Sequence, residues 1–247
     1  MGSAPRSCRL TSVAARKRTI TYAAQAPDPN KSSQMLVIVP PHVLVKHNLA
    51  IARNKDTPSG AFRAAIGELG KILIYEAVRD WLPTVDLQIE TPVGVADATV
   101  VDPTKPVALV PILRAGLVPL EQASSVIPVS ITYHVGYVRD EETLEASLYL
   151  NKLPPSFTPE DQIIVSDPML ATGGTMIACL KDLVSRGASV QNIRVISIVA
   201  APPALTKLGD EFPGLKVYTA MIDPELNDVG YIIPGLGDAG DRAFGTV

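Results

Sequence analysis

The sequence predicts an α/β domain built on a largely parallel sheet, and three observations predict it. Short apolar runs alternate with segments of helical period from Gln34 onward, the pattern of strands joined by crossover helices. Within that alternation, Ile163 to Leu180 reads as strand, acid, Gly/Thr-rich turn and helix. The one long polar stretch, Gly136 to Leu153, carries Arg139, Asp140, Glu141, Glu142 and Glu145. Charge of that density could not be buried, so it predicts a projecting hairpin or arm. In a sheet of this class ligands bind at the carboxyl ends of the strands.

Taken in order, Gln34 to Val39 is a short apolar run closed by Pro40-Pro41. Thr57-Pro58 reads as an N-cap followed by Pro at the first helical position. Phe62, Ala65, Ile66, Leu69, Leu73 and Ala77 hold helical spacing beyond it, and Trp81-Leu82-Pro83 should stop that helix. Gly67 and Gly70 lie inside it at a cost of about 1 kcal/mol each against Ala, which predicts that another element packs closely there. Val107 to Leu113 is the next strand. A short helix around Pro119 to Ala123 follows it, and then a strand from Val129 to Tyr133. After the arm, Pro154, Pro155 and Pro159 lead into the strand at Ile163. Val195 to Ala201, Pro202 to Leu208 and Leu215 to Met221 complete the series as strand, helix and strand.

Composition excludes several function classes. A chain of 247 residues with 47% hydrophobic content can bury a sizeable core. The net charge of −3 leaves no basic footprint for nucleic acid, and no stretch approaches the about 20 apolar residues of a membrane-spanning helix. Neither kind of partner is expected. Cys8 and Cys179 cannot build a disulfide framework, and Cys179, among helix residues, reads as a small core residue. His42, His47 and His134 are scattered, so no metal site is expected from protein ligands alone.

Residues 1–33 differ from the rest. Arg6, Arg9, Arg16, Lys17, Arg18 and Lys31 stand against the single acid Asp28, with Ser and Thr interspersed and no apolar run. This composition suits an organelle transit peptide, or alternatively the basic tail of a cytoplasmic enzyme. The expected division is a leader over 1–33 and a single folded domain over 34–247.

The chemistry-bearing motifs start at the turn after Val165. Asp167 stands where the strand ends, and Thr172, Gly173, Gly174 and Thr175 precede the helix. Such a turn can aim backbone N–H groups, two hydroxyls and the positive helix end at one phosphate. Read alone, it is equally a tight strand-to-helix connection. The stretch Gly235-Leu-Gly-Asp-Ala-Gly240 matches a dinucleotide fingerprint in letters only. Pro234 precedes it, and just seven residues follow it in this sequence. No Walker A motif is present. Pro111-Ile-Leu-Arg114-Ala-Gly116 ends a buried strand in an Arg whose planar fork suits a phosphate or diphosphate, although a surface Arg in a loop would read the same way.

Pro111 to Gly116, Arg139 to Leu144, Asp167 to Gly174 and Gly230 to Arg242, in that order, resemble the uracil phosphoribosyltransferase family. The resemblance runs from about Val39 to Val247. It implies a parallel-sheet phosphoribosyltransferase fold with a small hood. It also implies transfer of the phosphoribosyl group from 5-phosphoribosyl 1-diphosphate (PRPP) to uracil, giving UMP and diphosphate in pyrimidine salvage, with Mg2+ as cofactor. By similarity, Asp167, Pro168, Met169, Leu170, Ala171, Thr172, Gly173, Gly174 and Thr175 form the PRPP loop, with Asp167 on the ribose and Thr172 to Thr175 around the 5′-phosphate. Arg114 matches the arginine of the diphosphate loop, and Arg139 the arm arginine that reaches the diphosphate. Ile232, Gly237, Asp238 and Ala239 match the segment that reads uracil. Asp238 also matches a PRPP position and, with Arg114, is the candidate catalytic residue. Ser166 stands where relatives usually have an aliphatic residue. The family further implies a homo-oligomer, in some members with GTP as effector, and extended plant members suggest a plastid address for the leader.

Overall fold

The apolar runs read from the sequence are the central strands of the protein in the computed structural model, which describes residues 34–139 and 146–246. The leader, the arm tip at 140–145, the Arg139 side chain and Val247 lie outside the described residues. Along the chain come β1 (Leu36–Ile38), α1 (Val43–Arg53), α2 (Ser59–Ala77), β2 (Thr84–Thr91), β3 (Gly94–Val101) and β4 (Val107–Leu113). Two 3-10 turns, Ala115–Leu120 and Ala123–Ser125, lead to β5 (Ser130–Thr132), β6 (Val135–Arg139), β7 (Ala146–Asn151), β8 (Ile163–Ser166) and β9 (Met169–Leu170). Then follow α3 (Gly174–Ser185), β10 (Ile193–Ala200), α4 (Pro202–Glu211), β11 (Lys216–Ile222), β12 (Glu225–Leu226), β13 (Ile232–Ile233) and α5 (Ala239–Phe244).

The main sheet runs β1-β11-β10-β8-β4-β6-β7, with β5 beside β4 and β9 beside β10. Its pairings are parallel except β6 with β7, which close an antiparallel hairpin. The arm expected from the charged stretch is that hairpin. Strands β8 and β10 are buried along their whole length, as parallel strands covered on both faces must be. Alternate side chains serve two cores. Ile164 and Ile196 face the helices α1 and α2, while Ile163, Val165 and Val195 face α3 and α4. Cys179 is fully buried in the second core, as expected. Burial, with Asp182 and Asp167 nearby, pushes its thiol well above the usual cysteine range.

Four local expectations change. Thr57 does not cap α2: its hydroxyl donates to the Ile51 carbonyl at 2.7 Å. Pro58 is the cap residue, and its carbonyl takes the first helical bond from Phe62 N–H at 2.9 Å. Helix α1 has no counterpart in the sequence reading. It starts from His42, whose Nδ1 accepts the Leu44 N–H at 3.1 Å, an unusual residue for a cap. The antiparallel pair β2 and β3 was also unforeseen, although Val85, Leu87 and Ile89 alternate with polar residues. Finally, the turn after Arg114 is 3-10 and begins at Ala115, with Pro119 inside it rather than in its first turn.

The two glycines inside α2, Gly67 and Gly70, separate. A Cβ on Gly70 would lie 2.0 Å from the Pro119 carbonyl oxygen, so the 3-10 turn packs directly on the helix there. At Gly67 the nearest atom would be Gln122 Cγ at 3.7 Å, an ordinary contact that does not demand glycine.

Candidate active site

The site opens at the turn that follows β8, where the chain runs from Asp167 through β9 into α3. Strand β8 stops at Ser166, and the Asp167 N–H donates to Ile196 O at 3.1 Å, which ties the acid to the neighbouring strand. Asp167 Oδ1 accepts the Met169 N–H at 3.4 Å. The chain returns to the sheet as β9 and then turns into α3. Gly173, at φ 82°, occupies the left-handed region that favours glycine, and a Cβ there would sit 3.2 Å from Ala204 Cα. Gly174 is different: a Cβ there would meet no atom within 4 Å. The first turn of α3 carries no acid and no side-chain cap, so its N–H groups and positive end are left to an anion.

These residues line a cavity of about 270 Å³. Asp167, Met169, Leu170, Ala171, Thr172, Gly173, Gly174 and Thr175 form one wall, and Ile232 and Asp238 belong to the other. Pro168 is buried behind the wall and does not line it. Gly237 and Ala239 flank Asp238 without lining the cavity themselves. Met176 and Val229 line it as well, and neither was anticipated. Met176 could have been inferred from its place in the first turn of α3; Val229 carries no signal, because only the bend between β12 and β13 brings it there. That bend is held by Asn227 Oδ1, which accepts the N–H groups of Val229 and Tyr231 at 3.2 and 2.8 Å.

Asp238 caps α5, with Oδ1 accepting the Asp241 N–H at 2.9 Å. One carboxylate oxygen is therefore committed to the helix, which narrows what the other can do. Arg114 follows a cis Leu113-Arg114 peptide at the end of β4 and lies beside the same helix. Its Nη2 donates to Asp241 Oδ1 at 3.0 Å and its Nη1 to Thr246 Oγ1 at 3.4 Å. The Thr246 hydroxyl, opposed by burial and then aided by Arg114, holds the Asp241 carboxyl below its usual range. A Cβ on Gly240 would lie 3.2 Å from Asp238 Oδ1 and 3.9 Å from Arg114 Nη2, so the two candidate catalytic residues approach each other across Gly240. The Arg114 side chain is 54% exposed and does not line the cavity itself. Ser166 Oγ is buried with no hydrogen-bond partner among the described residues, and nothing in the site accounts for it.

Comparison with known proteins gives a consistent result. The family model of uracil phosphoribosyltransferases matches residues 39–246. The chain is 56% identical over 231 residues to the chloroplastic uracil phosphoribosyltransferase of Arabidopsis thaliana, covering 94% of this chain and 78% of that one. It is 56% identical over 213 residues to the uracil phosphoribosyltransferase of a Nostoc species, covering 86% and 99% of the two chains. A solved structure of an Aquifex aeolicus protein superposes with a TM-score of 0.78 at 35% identity, covering 85% of this chain and 98% of that one. With its parallel sheet, its strand-to-helix turn and this extent of similarity, the chain belongs to the uracil phosphoribosyltransferase family.

Proposed function

We propose that the chain transfers the 5-phosphoribosyl group of PRPP to uracil, yielding UMP and diphosphate, and that the residues named by resemblance carry the reaction. One observation supports this most: residues drawn from 167–176 and from 229–238, far apart in sequence, line a single cavity. In the reading it supports, Asp167 holds the ribose hydroxyls and Thr172 to Thr175 surround the 5′-phosphate at the N-terminus of α3. Ile232 and the Gly237-Asp238-Ala239 backbone pair with the uracil carbonyls and N–H. A site built on such pairing rejects a cytosine-like pattern, because buried polar groups would be left unsatisfied. Uracil N1 attacks C1′ as diphosphate leaves, positive charge develops on the ribose, and Arg114 and Arg139 stabilise the departing negative charge.

Among the described residues no group of three or more acidic, His or Cys side chains could hold a metal ion. Asp167 and Asp238 are the two acids that line the cavity. That sparse set fits Mg2+, which keeps several waters and binds substrate phosphates with one or two carboxylates. When bound, the ion would neutralise charge on the diphosphate.

The test is an assay with PRPP, Mg2+ and a panel of bases, following nucleotide and diphosphate. UMP formed from uracil alone is the expected result, and PRPP binding without any nucleotide product would sink the reading. Arg114→Ala should lower kcat by about 10² to 10³. It should leave the fold intact, since its exposed ion pair contributes no more than about 1 kcal/mol. Unchanged kinetics would remove Arg114 from the site. Adding GTP to the same assay checks the effector expectation.

We also propose that the leader over residues 1–33 directs the catalytic domain, 34–247, to a plastid. The chloroplastic name of the Arabidopsis relative supports this address. N-terminal sequencing of protein from the source cells decides it, with an intact Met1 or Gly2 end counting against import. Self-association is supported by the ribbon of β2 and β3, whose Leu87, Ile89, Val93 and Val95 are exposed. Sedimentation of the intact protein tests it, and a monomer at working concentration would overturn it.

A further inference from the structure

The loop between β13 and α5 is gripped from below by a pair of residues that no sequence motif singles out. Arg53, the last residue of α1, donates from Nη2 to Asp223 Oδ1 at 2.6 Å and from Nη1 to Asp223 Oδ2 at 3.0 Å. The same Nη1 donates to the Gly235 carbonyl at 3.2 Å, and the Gly235 N–H donates to Asp223 Oδ2 at 3.0 Å. Gly235 is thus held at both its N–H and its C=O. Only glycine fits at this point: its φ is 57°, and a Cβ would lie 2.1 Å from Ile232 O.

Asp223 is 3% exposed and stands at the carboxyl end of β11, where its own N–H donates to Ala200 O at 2.8 Å at the end of β10. The acid is therefore fixed where β10 and β11 end. A second brace comes from Arg242, which donates to Leu236 O at 2.8 Å, to Ala52 O at 2.6 Å and to Asn54 O at 2.7 Å. Both braces join this loop to the C-terminal end of α1.

We infer that the Arg53–Asp223 pair is a positioning device for the base, fixing the direction in which the 232–239 backbone presents its polar groups to uracil. The inference rests on the proposed reading that this segment holds uracil. A side chain that reads a base can adjust a torsion, whereas a peptide group turns only if its loop turns. A backbone-read site consequently needs its backbone held from outside. Stability alone is a poor reason for this pair. A buried ion pair is often no more stabilising than apolar residues of the same volume, while a bidentate fork supplies direction.

The experiment is steady-state kinetics of the full chain with each substrate varied, for Asp223→Asn, Arg53→Ala and Arg53→Lys. Asp223→Asn and Arg53→Ala should raise KM for uracil by about tenfold or more, the scale of a lost charged hydrogen bond. KM for PRPP should stay within about twofold, since the 167–175 wall is untouched. Arg53→Lys keeps the charge without the fork and should recover only part of the loss. A merely structural role would lower the active fraction for both substrates alike and leave both KM values unchanged. Photo-crosslinking of a 5-halogenated uracil, mapped by mass spectrometry, separates the two levels of the argument. Crosslinks outside 232–239 overturn the uracil segment and the inference with it. Crosslinks inside that segment, with KM for uracil unchanged in Asp223→Asn, overturn the positioning role alone.

Discussion

At the residue scale the site depends on what each side chain leaves open. Gly174 is the clearest case: glycine is not needed there to avoid any protein atom, since a Cβ would meet nothing within 4 Å. In an α-helix Ala is the better residue by up to about 1 kcal/mol, so Gly174→Ala should fold with unchanged or slightly raised stability. The added methyl would stand in the cavity against the proposed phosphate position, and KM for PRPP should rise by about tenfold or more. Thermal unfolding and PRPP titration together check this; unimpaired PRPP binding would place the phosphate elsewhere. Asp238 illustrates the opposite constraint. Its Oδ1 is engaged in capping α5, so its contribution to the reaction must come from its other oxygen or from its charge.

At the element scale, α2 packs directly on the turn that follows Arg114, and so supports the proposed diphosphate side of the site. Gly70 and Gly67 stand three residues apart in the same helix and look alike in the sequence. Gly70→Ala drives a methyl into the Pro119 carbonyl, a backbone atom that cannot step aside. It should destabilise the protein by about 1 to 3 kcal/mol despite the gain in helix propensity. Gly67→Ala meets only ordinary contacts and should be neutral or stabilising by up to about 1 kcal/mol. Urea unfolding of the two variants gives the comparison, and equal effects would refute the close approach at Gly70. The loop from β13 to α5 belongs to this scale too. Its letters are legible as a Gly- and Pro-rich segment, but the arginines that hold it come from residues 53 and 242.

At the scale of the whole molecule, the described chain places one sheet between two helical layers, with the site where the strands end. The family match begins at residue 39, and the described residues begin at 34. A chain shortened to start at Gln34 should therefore keep the turnover number and thermal midpoint of the full-length protein. Loss of either would assign residues 1–33 a part in the folded enzyme, contrary to a leader that is dispensable for catalysis. The alternation that predicted the sheet was reliable because parallel strands are buried on both faces, so their apolar runs are continuous. The exposed pair β2 and β3 and the helix α1 gave weaker signals: β2 alternates rather than running apolar, and the apolar residues of α1 are split by Lys46-His47-Asn48 behind an unusual cap, His42.

By itself the sequence determined the sheet, the arm and the strand-to-helix turn at Asp167 to Thr175, since each is written in consecutive residues with a local physical signal, while four ordered motifs carried the resemblance to the family. Only the tertiary structure decided which of those residues share a cavity, that Pro168 is behind it, that Arg114 meets Asp241, and that Arg53 and Asp223 grip Gly235. Those facts join residues as far apart as 53 and 223, and no periodicity or spacing records them. They follow from the order in which the strands pair, a property of the whole fold rather than of any segment.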